Sequence, residues 1–230
     1  MNHIGTLNES SMHEDLKHLY QTDEFTPEVI FEGYHIDLYS DSRLIEIQTQ
    51  NFGAMKEKLK KLLLLRSVLL VYPLIIEKII TVMDKKGKKI VHTRRSPKRG
   101  KLLDIVDEAI FIPQLLSHPN LTLEVVPIDV LEIRKDDGKG SWRRKGVSIK
   151  DRTVSKVYAT RYQFNAPADY LALLPKQVDN DFSSRSLRVD FDVPARQVNK
   201  LLYVLLHVGA ITHLRNEGNL KIYRKSLISH

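Results

Sequence analysis

Residues 29–39 (VIFEGYHIDLY) and 44–49 (LIEIQT) alternate apolar and polar side chains on either side of Ser-Asp-Ser-Arg. That is the pattern of two half-buried strands joined by a short turn. A hairpin centred on that turn sets Asp37 opposite Glu46 and His35 opposite Gln48, whether its loop has two residues or four. Side chains repeat every second residue, so Asp37, Glu46 and Gln48 are expected on one face, and Ile36, Leu38, Ile45 and Ile47 on the other. Opposed β-carbons lie about 5 Å apart. The surrounding sequence is apolar enough for this sheet to be covered. Two covered carboxylates at that spacing need cationic partners or a divalent cation, which hard oxygen ligands suit.

The elements around the hairpin follow from periodicity. Residues 8–20 place Met12, Leu16, Leu19 and Tyr20 on one helical stripe. Asn51 is expected to cap a helix over about 52–65 with Phe52, Met55, Leu59, Leu62 and Leu63 inward. Val68–Tyr72 reads as an apolar strand stopped by Pro73, Ile75–Met83 and Lys88–His92 as a strand pair, and Lys101–Leu116 as an amphipathic helix. Leu121–Arg134 is a long strand region, and 135–150 a polar, basic, Gly-containing excursion. The composition changes after about residue 165. Ala168–Leu174 predicts a short helix, and 183–225 a helix capped by Ser183 or Ser184, a turn at Asp192-Val193, and a second helix. That second helix has Pro194 in its first turn and stops at Gly209. Two strands around Asn-Glu-Gly-Asn follow, completing the order of a winged helix-turn-helix. The expected division is therefore 1–165 and 166–230.

Charge narrows the partner. Nine Lys or Arg and no acid lie between Lys85 and Lys101, and they account for the net +8 of the chain. A concentrated basic segment attracts a polyanion, because each neutralised phosphate releases condensed counterions. The chain has no cysteine, which excludes disulfides and thiolate metal sites. Its first residues lack the basic and apolar regions of a signal peptide, and the apolar run from Leu62 to Ile76 contains Arg66 and is too short to cross a bilayer. A cytoplasmic protein with no membrane partner is the expectation.

The spacing Asp37…Glu46-Ile47-Gln48, on a hairpin after a helix, resembles the PD-(D/E)XK nucleases of the restriction-endonuclease-like fold, in their Glu-x-Gln variant. The stretch GYHIDLYSDSRLIEIQTQNFGAMKEKL also looks like a group of uncharacterised microbial proteins of this type, in which it continues into a VYP strand and an RRSPKRG loop. The resemblance covers roughly residues 7–133. It implies an α/β nuclease domain with a mixed central sheet flanked by helices, over 1–165, that hydrolyses phosphodiester bonds with Mg²⁺ or Mn²⁺. Asp37, Glu46 and the Ile47 carbonyl would hold the metal, which would lower the pKa of a bound water and stabilise charge at the scissile phosphate. Glu9 best matches a further acidic position on the first helix, with Glu14 the fallback. The third motif position is usually Lys; Gln48 can orient water but supplies no charge, so Lys56 or Lys58 on the next helix is expected to replace it.

DNA contacts are expected from Thr49, from Arg94, Arg95, Lys98 and Arg99 in the basic segment, and from Arg143 and Arg144 beside Trp142. Arg196, Gln197, Asn199 and Lys200 are expected early in the second C-terminal helix, with Arg215, Asn219, Lys221 and Arg224 on the wing. His13, His92, His118, His207 and His213 show no ligand spacing, and His35 reads as structural. A double-strand cut requires two sites and hence a homodimer. The rival expectation is a non-catalytic DNA-binding regulator or complex subunit that keeps the nuclease fold.

Overall fold

The structure, a computed structural model, describes residues 11–189 and 192–226. Helix α1 (Ser11–Tyr20) buries Met12 and Leu16. The run expected to be one strand is two, β1 (Thr26–Phe31) and β2 (Tyr34–Tyr39). They are joined at Glu32-Gly33, where φ is +52° and +79°, and Phe31 pairs with Tyr34. Two consecutive positive φ values make the tight hairpin turn whose twist matches that of the strands, and Gly33 adopts its angle without a Cβ penalty. β3 (Arg43–Ile47) then pairs antiparallel with β2 in the expected register, Leu38 opposite Ile45.

Helix α2 (Phe52–Leu63) buries the expected stripe of Phe52, Met55, Leu59, Leu62 and Leu63. Its cap differs from expectation. Asn51 sits at φ +63° and makes no side-chain cap bond; the Phe52 N–H donates instead to the Glu108 carboxylate at 3.0 Å. An anion from elsewhere in the chain thus meets the positive end of the helix dipole.

β4 (Ser67–Met83) and β6 (Leu121–Asp136) are parallel and form the centre of an eight-stranded mixed sheet. The two run through both halves of it. In the lower half, β3 pairs with β4, and β8 (Tyr162–Phe164) pairs with β6. In the upper half these neighbours are replaced by β5 (Ile90–Arg95) and β7 (Val147–Val157), which make an arm ordered β5-β4-β6-β7. The excursion expected over 135–150 is the end of the β6–β7 hairpin, with residues 137–146 as its connection and paired strand on either side.

Pro73 does not stop β4, and topology explains why. The Val71 carbonyl accepts from the Gln48 N–H on the β3 side, so two residues on, the missing Pro73 N–H faces the same side. β3 has ended by then and β5 does not join until Ile79. Pro73 thus occupies a stretch of edge where no ladder bond is required. Pro127, in β6 past the last β8 pair at Val125, differs: its carbonyl accepts from the Tyr158 N–H at 3.0 Å, and only the donor half of that pairing is missing.

The helix expected over Lys101–Leu116 shrinks to a 3₁₀ turn (Leu102–Ile105) and α3 (Val106–Ala109). Pro113 is responsible, because its ring would clash with the Ala109 carbonyl in a continued helix. After a 3₁₀ segment (Pro167–Leu173) come β9 (Asp181–Ser183), α4 (Ser184–Val189), α5 (Ala195–His207), β10 (Ile211–Glu217) and β11 (Leu220–Lys225). The last strands and β9 form a small sheet ordered β10-β11-β9. Ser183 caps α4 as expected: its Oγ accepts from the Ser186 N–H at 3.1 Å, while Ser186 Oγ accepts from the Ser183 N–H at 3.0 Å. Pro194 immediately precedes α5, and Gly209, at φ +79°, follows it.

Two apolar clusters sandwich the large sheet. Met12 and Leu16 of α1 pack with Leu38, Ile45, Ile47, Val71 and Val130 on one face. On the other, Phe52 and Leu59 of α2 join Leu70, Leu123 and Ile105, and the cluster continues without a break into Val198, Leu201 and Leu205 of α5. The chain is therefore an α/β protein with a large mixed sheet flanked by helices. Its core crosses the boundary drawn at residue 165.

Candidate functional site

Ile36 and Leu38 were expected on one face, yet Ile36 packs with Leu44 beside α2 while Leu38 packs with Ile45 and Ile47 beside α1. Strand β2 changes face at Asp37. There the carboxylate, not the backbone, completes the ladder: Asp37 Oδ2 accepts from the Ile47 N–H at 2.7 Å. Asp37 and Glu46 therefore do not stand side by side on one face.

His13, which sequence spacing gave no reason to choose, completes the Asp37 side. Its Nε2 lies 3.3 Å from Asp37 Oδ2 and 3.1 Å from the Ile47 carbonyl. Both neighbours are acceptors, so Nε2 carries the proton. Only the packing of α1 against the sheet brings this residue in, and no local motif could have shown it.

Glu46 faces α2 and is almost fully buried. Lys58 Nζ donates to Glu46 Oε2 at 2.7 Å and also to the His35 carbonyl. Of the two lysines expected to replace the motif lysine, Lys58 is the one that meets a carboxylate of the expected pair. Lys56, two residues earlier on α2, makes no hydrogen bond or ion pair with either carboxylate. Gln48 is absent from the cluster as well, since its amide donates to the Gln50 carbonyl two residues on. The other Glu46 oxygen, Oε1, is buried with no hydrogen-bond partner among the described residues. Burial pushes the Glu46 carboxyl up; Lys58 draws it down, Asp37 raises it again, and the outcome is about 7.

Glu9 lies outside the described residues. Its fallback Glu14 pairs with Lys17 at 2.5 Å. Among the described residues no group of three or more His, Asp or Glu is placed to hold a metal ion. The hard-oxygen donors here are the Asp37 carboxylate, the Glu46 carboxylate with its unpartnered Oε1, and the Ile47 carbonyl, oxygens of the kind Mg²⁺ takes.

The cations expected on DNA fall into separate groups. Thr49 and Lys98 line one pocket of about 300 Å³ beside the site, with Tyr72, Ser96 and Asp104. Arg95 and Arg99 turn to Glu77, Arg95 at 3.6 Å, and so do not act with Arg94 as one patch. Arg94 instead lines a basic pocket with Arg143 and Arg144 on the arm. On α5, Gln197 donates to Asp104 at 2.9 Å and Lys200 to Asp107 at 2.6 Å. These two side chains hold α5 to the 3₁₀ turn and α3, while Arg196 and Asn199 are exposed. On the hairpin, Arg224 makes two bonds to Asp181 (2.6 and 2.7 Å) and Arg215 pairs with Glu217 at 2.6 Å. Two of the three cations expected of the wing, Arg215 and Arg224, are thus neutralised locally.

Residues 10–163 match a family described as a domain of unknown function, DUF8091. The chain is also similar to an uncharacterised protein from Treponema pallidum (strain Nichols), 30% identical over 223 residues that span 96% of this chain and 87% of the relative. No solved structure matches it. Among the described residues, no helix is long and apolar enough to cross a membrane. The chain belongs to the DUF8091 family.

Proposed function

We propose that this member of the DUF8091 family is a metal-dependent DNA endonuclease with a restriction-endonuclease-like core, and that its C-terminal unit is a winged helix that helps place the DNA. The observation that carries this reading is Glu46 Oε1: a buried, unpartnered carboxylate oxygen, on a group whose charge is felt by Asp37, where an unpaired anion is costly. Asp37, Glu46 and the Ile47 carbonyl would hold Mg²⁺, or Mn²⁺ in its place. The bound ion supplies charge neutralisation at the phosphate and an acidified water.

The protein's own groups supply the rest. The Ile47 N–H and His13 fix the Asp37 carboxylate, and the strand linkage between them keeps it beside the Ile47 carbonyl. Lys58 holds one oxygen of Glu46 and brings the positive charge that Gln48 lacks. With a carboxyl near 7, Glu46 exchanges its proton close to neutral pH, and any added cation favours its ionised form. On the C-terminal unit, Arg196 and Asn199 are the α5 residues left facing outward for a groove. Cutting both strands requires two copies, so a homodimer belongs to the proposal.

The test is nicking of plasmid and single-stranded DNA with Mg²⁺ or Mn²⁺. Asp37→Ala and Glu46→Ala should each lower the rate at least about 100-fold with DNA affinity retained, and Lys58→Ala should follow them while Lys56→Ala does not. No cleavage with any divalent ion, together with no ion bound at Glu46, sinks the proposal. It would leave the second reading, a non-catalytic DNA-binding regulator or complex subunit. That reading is favoured by the absence, among the described residues, of any group of three His, Asp or Glu placed to hold a metal ion.

A further inference from the structure

The arm carries a basic pocket that is remote from the carboxylate pair. Its register follows from the ladder: Val130 lies on the α1 face, and along β6 the same face carries Glu132 and Arg134. Across the ladder Glu132 pairs with Ile80 and Arg134 with Val82, and these in turn pair with Arg94 and His92 of β5. A 3₁₀ turn over Trp142–Arg144 folds over this face from the β6–β7 connection. The result is an open pocket of about 240 Å³ lined by His92, Arg94, Arg134, Arg143, Arg144 and Lys145, with no acid in its lining.

Its floor is also positive. Glu132 is buried and accepts from Lys78 at 3.1 Å, from Arg134 Nε at 2.6 Å and from Arg152 at 2.8 Å. Burial alone would raise its carboxyl, but the three cations bring it down to about 2, so it is ionised at neutral pH. One negative charge is thus shared by three positive ones. Arg94, Arg143 and Lys145 have no acidic partner among the described residues. Beside them Trp142 is 83% exposed, with the Arg143 guanidinium 5.6 Å from its ring centre. A bare indole next to unneutralised cations suits a nucleic acid, which offers both phosphates and base faces.

We infer that this pocket, built from His92, Arg94, Arg134, Arg143, Arg144 and Lys145, holds the phosphate backbone of a nucleic acid at a second point, distant from the carboxylate site. The separation can be counted on β4. Glu46 pairs with Leu70 and His92 with Val82, which is roughly 40 Å of strand at about 3.3 Å per residue. Duplex DNA rises about 3.4 Å per base-pair step, so the pocket meets a duplex about 12 base pairs from the point held at Asp37 and Glu46. The second contact rests on the DNA-binding part of the function proposed above and not on catalysis.

Binding without catalysis tests it. Fluorescence anisotropy with Ca²⁺ in place of Mg²⁺, the DNA verified as intact on a gel, compares duplexes of about 10 and about 30 base pairs for the wild type and for the triple variant Arg94→Ala, Arg143→Ala and Lys145→Ala. The wild type should prefer the long duplex by about tenfold or more, and the variant should lose that preference while binding the short one equally. Its log–log salt slope on the long duplex should fall by nearly 3, at about 0.9 per phosphate released. The three side chains sit at the surface, and an unchanged thermal melt verifies that the variant folds. Equal affinities and slopes for both proteins overturn the inference, even if both cleave DNA. Loss of the length preference in a protein that never cleaves upholds it while the nuclease reading falls.

Discussion

At Glu46 a single side chain meets opposing demands. Its carboxylate is taken out of water, which favours the protonated form, yet one oxygen accepts a bond from Lys58, which favours the ionised form. Burial outweighs the pair, and the group titrates near 7 against an ordinary value of 4.5. The sign for stability follows. A folded-state pKa above the unfolded value gives stability that is complete below about pH 4.5 and is lost as pH rises through about 7. At 1.36 kcal/mol per unit the loss approaches roughly 3 kcal/mol by pH 8. Glu46→Gln keeps an acceptor for Lys58 but has no charge to bury. Its stability relative to wild type should therefore climb between pH 5 and pH 8 in metal-free buffer, as measured by urea unfolding across that range. Adding Mn²⁺ should raise the melting temperature of the wild type and leave that of Glu46→Gln unmoved. A difference between the two proteins that stays flat with pH would show that Glu46 is charged without cost in the fold.

The β1–β2 turn and the two prolines of the central strands illustrate what could be read from sequence and what could not. Gly33 interrupts an alternating run, and a glycine there is the visible mark of a turn that needs positive φ. Gly33→Ala should destabilise the protein by about 1 kcal/mol in chemical denaturation. Pro73 misled because a proline forbids a ladder bond only where a partner strand stands, and the place where β3 leaves β4 is a property of the whole sheet. Pro73→Ala should accordingly cost no more than about 1 kcal/mol, the entropy gained by the unfolded chain; a loss of several would refute the edge assignment. The register of Leu38 opposite Ile45 was legible because alternation fixes pairing. The swing of Asp37 out of its face, the arrival of His13 from α1 and the choice of Lys58 over Lys56 were not. Each depends on how a helix packs over the sheet, which local periodicity does not encode.

Across the molecule, the C-terminal unit and the sheet share one apolar core, and α5 is tied to it by Gln197–Asp104 and Lys200–Asp107. Two neighbouring residues of α5 should therefore behave oppositely. Lys200→Ala should lower stability by up to about 1 kcal/mol and leave DNA affinity unchanged, whereas Asn199→Ala should spare stability and weaken binding. Urea unfolding and anisotropy on both variants decide this; a Lys200 variant that loses affinity without losing stability would put that side chain on DNA. The parallel pair β4 and β6 has a consequence for how such a chain can change in evolution. Inserting one residue in either strand would turn every side chain beyond it to the opposite face, burying Ile79 and Leu131 where Ile80 and Glu132 now lie. A single extra residue is accommodated only in a bulge, as Ile76 is between the Ile75–Ile128 and Glu77–Asp129 pairs. Relatives with longer or shorter arms should therefore differ by matched two-residue insertions, or by one residue placed at a bulge.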